Sequence, residues 1–118
     1  MTQLAIVYRT VPHGNSKGRE ALDLTLLAAS YEVETAVFFI ADGIYQLLKN
    51  QQPGVIDSKD HIATYRALPM YDVEQIYICA ESMQQRDIEL TDLIIPAQPL
   101  EPEQLRQQLF QSKQVLTF

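Results

Sequence analysis

The stretch Gln75-Ile-Tyr-Ile-Cys79-Ala-Glu-Ser82 holds the residue closest to doing chemistry. A run of strand-forming residues ends at Cys79, and Ala80-Glu81-Ser82 reads as the first turn of a helix. The thiolate is the nucleophilic form of cysteine, and a helix N-terminus favours it. Two features oppose that reading. Glu81 brings a carboxylate close by, and no basic side chain is nearer in sequence than Arg86. A free cysteine is also among the most commonly buried residue types. Two readings therefore stand for Cys79: a thiol able to accept and pass on sulfur, and a small buried side chain.

Other candidates lie in the loop Val11–Gly18, where Pro12, Gly14 and Gly18 forbid regular structure ahead of a helix. Free backbone N–H groups at such a place can hold an anion. Neither the GxGxxG nor the GxxxxGK[ST] spacing is present, so no known phosphate motif supports it. The same glycines serve equally well as a strand-to-helix turn. His13 in this loop could act as a general acid or base near neutral pH. His61 sits in the expected first turn of a later helix, a common place for an exposed histidine. Two distant histidines and one cysteine do not have metal-ligand spacing, so neither a metal nor a cofactor is expected.

The elements that position these residues are organised around Ala36-Val-Phe-Phe-Ile-Ala41. This unbroken apolar run predicts an interior strand of a parallel sheet covered on both faces. Asp42-Gly43 is a turn and helix start, and Ile44, Leu47 and Leu48 follow at helical spacing up to Lys49. Around this unit, Gln3 to Tyr8 is a first strand. Asn15 or Ser16 caps a helix from Arg19 to about Tyr31, with Leu22, Leu26 and Ala29 on its apolar face. Asp57 or Ser58 opens another helix, which carries Ile62, Tyr65 and Leu68 and ends at Pro69. Tyr71-Asp72 turns into the third strand, Glu74 to Cys79, and a short helix runs from Glu81 to about Arg86. Leu93-Ile-Ile-Pro reads as a fourth strand. Pro102 starts a last helix whose Leu105, Leu109 and Phe110 face the sheet, and Val115 to Phe118 is a final strand. Strands alternating with helices predict a three-layer α/β fold on a parallel sheet of about five strands, with right-handed connections.

At 118 residues the chain is expected to form one domain with a substantial core. No apolar run approaches the ~20 residues of a membrane span. The N-terminus reads as a strand rather than a signal peptide, and a lone cysteine fits a reducing cytoplasm. Fifteen acidic against nine basic side chains give a net charge of −6. The basic residues are scattered, with Lys17 and Arg19 the nearest to a cluster, so direct binding of nucleic acid is not expected. Tyr8, Tyr45, Tyr65, Tyr71 and Tyr77, with Phe38 and Phe39, form a large aromatic set. Most belong in the core, and any that surface together mark a protein interface.

Three stretches together carry a resemblance. Val11-Pro-His-Gly with Gly18-Arg-Glu-Ala-Leu-Asp23 is the first, and Val37-Phe-Phe-Ile-Ala-Asp-Gly-Ile-Tyr-Gln-Leu-Leu48 the second. The third joins Ile62-Ala-Thr-Tyr65, Leu68 to Asp72 and Ile76 to Cys79. In this order they resemble the DsrF-like branch of the DsrE/DsrF family, over nearly the whole chain. The resemblance implies an α/β/α sandwich with strand order 4-3-2-1-5, which puts the doubly apolar second strand at the centre. It also implies a cytoplasmic dimer of heterotrimers built from similar B-, C- and D-type subunits. Such a complex passes persulfide sulfur to a small carrier protein, on the way to 2-thiolation of the wobble uridine of tRNA. The sulfur-carrying cysteine of the D-type subunit follows its third strand, where Cys79 lies here. The setting Ile-Cys-Ala-Glu-Ser departs from that site, and C-type subunits are regarded as non-catalytic. Three functions are thereby set side by side: a structural and interaction subunit, a direct persulfide carrier using Cys79, and a small-ligand module using Val11–Gly18.

Overall fold

The computed structural model describes residues 2–9, 17–48 and 65–118. Five strands form one sheet: β1 (Leu4–Tyr8), β2 (Thr35–Phe39), β3 (Gln75–Cys79), β4 (Gln98–Leu100) and β5 (Gln114–Thr117). All pairings are parallel and the order is β4-β3-β2-β1-β5. β2 is central, with Val37 opposite Ile6 on one side and Ile76 on the other. All five of its residues are buried, as the continuous apolar run predicts. Alternation then divides them. Val37 and Phe39 enter one core with Leu4, Ile6 and Tyr8, while Ala36 and Phe38 enter the other with Ala5 and Val7.

The two faces differ in character. The first is thick and aromatic: Tyr8 stacks on Phe39 with ring centroids 4.5 Å apart, and Tyr65 meets both rings at 6.1 and 5.9 Å. Such pairs add about 0.5–1.5 kcal/mol beyond the area they bury. Helix α1 (Lys17–Ser30) covers this face through Ala21, Leu22 and Ala28, and helix α2 (Ala80–Gln85) through Met83. The second face is thinner: it combines the small Ala5 and Ala36 with Val7 and with Phe38, whose ring lies 5.1 Å from that of Tyr77, and it receives Leu105 of helix α3 (Pro102–Gln111). This split follows from topology. The chain steps outward from β1 to β4 and then returns to β5, and crossovers of one hand place opposite steps on opposite faces.

Several expected elements are relocated. The segment after β2 is a 3-10 helix, Ala41–Leu47, rather than an α-helix from Ile44. A Cβ on Gly43 would fall onto the carbonyl of Tyr8, so this tight turn rests directly on the end of β1. The helix expected to end at Pro69 stops earlier, at Arg66, ahead of the proline. Pro69 sits in the first turn of a further 3-10 segment, Leu68–Tyr71, and the chain reverses at Asp72 with φ 64°. Leu93-Ile-Ile-Pro is not the fourth strand. Leu93 forms one antiparallel bridge to Leu48, and Ile94 N–H donates to the Leu47 carbonyl at 2.7 Å. Its apolar side chains are consumed by the aromatic core. The true β4 is a three-residue edge strand in which only Leu100 is buried, too short and too polar to show a period. Phe110 does not face the sheet. It is 90% exposed, because Leu105 and Leu109 already occupy the inward line of α3. The loop from Val11 to Ser16 lies outside the described residues. So do Lys49, Ile62 and the caps expected at Asn15, Ser16, Asp57 and Ser58.

Candidate functional site: a cleft where the sheet changes direction

Cys79 is the last residue of β3 and the N-cap of α2. Its Sγ accepts a hydrogen bond from the Ser82 N–H at 3.4 Å, so sulfur does what a Ser or Asp oxygen does at most helix starts. The side chain is 7% exposed and unbonded to another cysteine. Glu81 occupies the first turn, where its charge complements the helix dipole.

The neighbouring turn is fastened to this helix. Ser82 Oγ accepts from the Ala41 N–H at 2.9 Å. Ala41 itself has φ 49°, in the left-handed region that costs a non-glycine residue about 1–2 kcal/mol. One turn on, Arg86 reaches back: its Nη2 and Nε donate to the same Asp42 Oδ1 at 2.9 and 3.3 Å, and its Nη1 to the Ser82 carbonyl at 3.3 Å. The carboxyl ends of β2 and β3 are thus joined by a polar clamp of Ala41, Asp42, Ser82 and Arg86.

Beside the clamp lies an open cleft of about 720 Å³, reached by Cys79, Ser82, Ile40, Ala41 and Arg9 from the strand ends and by Leu105, Leu109 and Arg106 from α3. Its place has a topological reason. The connection from β3 leaves toward the first face and that from β4 toward the second, which opens a crevice between them. Open α/β sheets bind ligands at such switch points. The cleft's lining is mostly apolar and includes three charged residues, Arg9, Arg106 and Glu81. Arg106 is highly exposed and pairs with Glu103 of its own helix at 3.5 Å.

Of the residues singled out by sequence, Cys79 therefore reaches a cleft, while His13, Gly14 and His61 lie outside the described residues. Gly18 lies within α1. The clamp and Arg9 escape sequence reasoning, while Leu105 and Leu109 were expected against the sheet and not at a cleft. Asp42 and Arg86 are 44 positions apart, and Ala41 and Ser82 are 41 apart. Local pattern carries no signal at that range.

A parallel five-stranded sheet in this order, with a cysteine-bearing cleft at its switch point, defines an α/β sandwich of one known class. A profile of the DsrE/DsrF-like family matches residues 2–118, and the chain belongs to that family. It is 42% identical over 118 residues to the protein TusC homolog of Vibrio parahaemolyticus. It is 43% identical over 119 residues to protein TusC of Escherichia coli O157:H7. Both alignments cover 100% of each chain. In fold it is similar to the ychN protein from E. coli, with a TM-score of 0.83, 22% identity and full coverage of both chains.

Proposed function

We propose that this chain is a structural and interaction subunit of a cytoplasmic sulfur-relay complex. In this reading it packs against two paralogous subunits, B- and D-type, in a dimer of heterotrimers. The complex hands persulfide sulfur to a small carrier protein and so supports 2-thiolation of the wobble uridine of tRNA. Full-length identity to TusC proteins of two organisms supports the assignment to a relay. The observation that carries the structural role is the condition of Cys79. Its thiol is buried and its sulfur is engaged as a helix cap, while large apolar side chains stand in solvent. Leu27 of α1 and Tyr31 just past its end are 55% and 75% exposed, and Met70 and Tyr71, in the segment packed against α1, are 85% and 48% exposed. Exposed tyrosine and methionine side chains on two adjoining segments suit a protein interface. The scattered basic side chains fit a subunit that does not itself hold tRNA.

The second reading, direct persulfide transfer through Cys79, is favoured by the opening of the cleft beside its sulfur. Co-purification separates the two. The chain is tagged in its native cell and the complex weighed, first as wild type and then as Cys79→Ser, with wobble-uridine thiolation assayed in both. Recovery of two similar-sized partners with thiolation intact supports the structural role. Thiolation lost while assembly persists transfers the chemistry to Cys79, and a homo-oligomer refutes the heteromeric reading.

A further inference from the structure

Cys79 is enclosed by two walls of opposite kinds. On the side of β2 the wall is the polar clamp, in which Ser82, Arg86, Asp42 and Ala41 are joined by directional hydrogen bonds. On the other side the wall is α3, and its attachment is sparse. Of its ten residues only Leu105 is buried, with Leu109 half-buried beside it. The polar contacts of its side chains among the described residues stay within the helix and its caps: Gln104 with the Glu101 N–H, Arg106 with Glu103, and Ser112 with the Gln108 carbonyl. Both flanking residues, Glu101 and Ser112, have extended backbones. The strands beyond them are held independently, β4 by pairing with β3 and β5 by pairing with β1. The cleft already separates part of α3 from the strand ends.

Elements with few buried apolar contacts open at a lower free energy than the whole domain. We propose that α3 is a hinged cover over Cys79. It lifts away from the sheet while the five-stranded core stays folded, and this local opening sets how fast the thiol meets a solvent-borne reagent. The inference goes beyond the relay reading and holds whether or not Cys79 carries sulfur. The clamp supplies the contrast: its hydrogen bonds hold the β2 side in place, so access comes from the α3 side.

Because Cys79 is the only cysteine of the chain, alkylation reports on this site alone. The thiolate of Cys79 displaces iodide from iodoacetamide: a C–S bond forms, the C–I bond breaks, iodide leaves with the electron pair and the thiol proton goes to solvent. The rate is followed by intact mass on the full chain, at urea concentrations below the unfolding transition. Wild type is expected to react far more slowly than the unfolded chain, with a rate nearly independent of urea. Leu105→Ala should accelerate this plateau roughly 30-fold, the factor set by the lower end of a buried Leu→Ala loss. Leu109→Ala should do so more weakly, and it keeps the test open if Leu105→Ala does not fold. Leu22→Ala removes a comparable side chain from the opposite face and should leave the plateau unchanged. The proposal fails if labelling follows global unfolding in every variant. Equal acceleration by Leu22→Ala, or wild-type labelling as fast as in the unfolded chain, refutes it equally.

Discussion

Gly43→Ala is the substitution on which the geometry speaks most directly. The Cβ would fall onto the Tyr8 carbonyl oxygen and carbon and come within 2.8 Å of the Arg9 nitrogen, all backbone atoms at the end of β1. The Tyr8 carbonyl is also the acceptor for the Ile40 N–H at 3.1 Å, so it cannot yield without loosening the β1–β2 ladder. The strain is instead relieved by lifting the segment Ala41–Leu47, which seats the fully buried Ile44 and Leu47. Overpacking against a side chain that can rotate costs about 1–3 kcal/mol. Here the obstacle is backbone, which places the loss at about 3 kcal/mol or more. For a chain of 118 residues that corresponds to a fall in Tm of roughly 12 °C. Urea unfolding followed by circular dichroism gives the number, with an earlier midpoint and an unchanged slope as the expected signature. A variant within about 0.5 kcal/mol of wild type, the range of an ordinary surface change, would show that the turn does not rest on β1 as described.

Four further outcomes follow from the same contacts. Burial pushes the phenols of Tyr8 and Tyr65 well above their ordinary value of 10.0, with Tyr8 adding to the rise at Tyr65. The unfolded chain therefore loses these protons first: the phenols' contribution to stability is constant below about pH 10 and falls above it by up to about 1.4 kcal/mol per pH unit for each phenol. Unfolding midpoints between about pH 9 and pH 11 should show this fall, and a pH profile unchanged in Tyr8→Phe would refute it. Asp42→Asn and Arg86→Gln should each weaken the clamp, with a coupling in the double-mutant cycle of about 0.5 kcal/mol, modest because Asp42 is 56% exposed. A coupling of zero in low salt would mean that the ion pair contributes nothing. Ala41→Gly removes the positive-φ strain and should stabilise by about 0.5 kcal/mol after the added chain entropy is set against it; a loss of stability would contradict the observed dihedral. Phe110→Ser, at a side chain 90% exposed, should leave the urea midpoint unmoved, and a large shift would place that ring in the core.

How much was legible beforehand depends on the range of the interaction concerned. The α/β class, a parallel sheet of about five strands and the interior place of β2 follow from period and composition, because a strand covered on both faces needs an apolar residue at every position, whereas the order that centres β2 came from the family resemblance. The position of Cys79 at a strand end before a short helix was legible for the same local reason. Leu93–Ile95 shows where local reading stops. Three apolar residues in a row suit a buried strand, and their actual use as core filling beside Leu47 and Leu48 depends on a segment far away in sequence. Phe110 makes the complementary point, since a helix ten residues long on a narrow face buries only one line of side chains.

The sequence by itself determined the layers, the strand directions and the residue that ends β3, because these depend on neighbours within a few positions. Tertiary structure decided the rest: that Ser82 holds the Ala41 N–H, that Arg86 meets Asp42, and that a cleft opens between α2 and α3. Each of these requires two chain segments to meet at a sheet edge, and the edge exists only once the chain has turned back from β4 to β5.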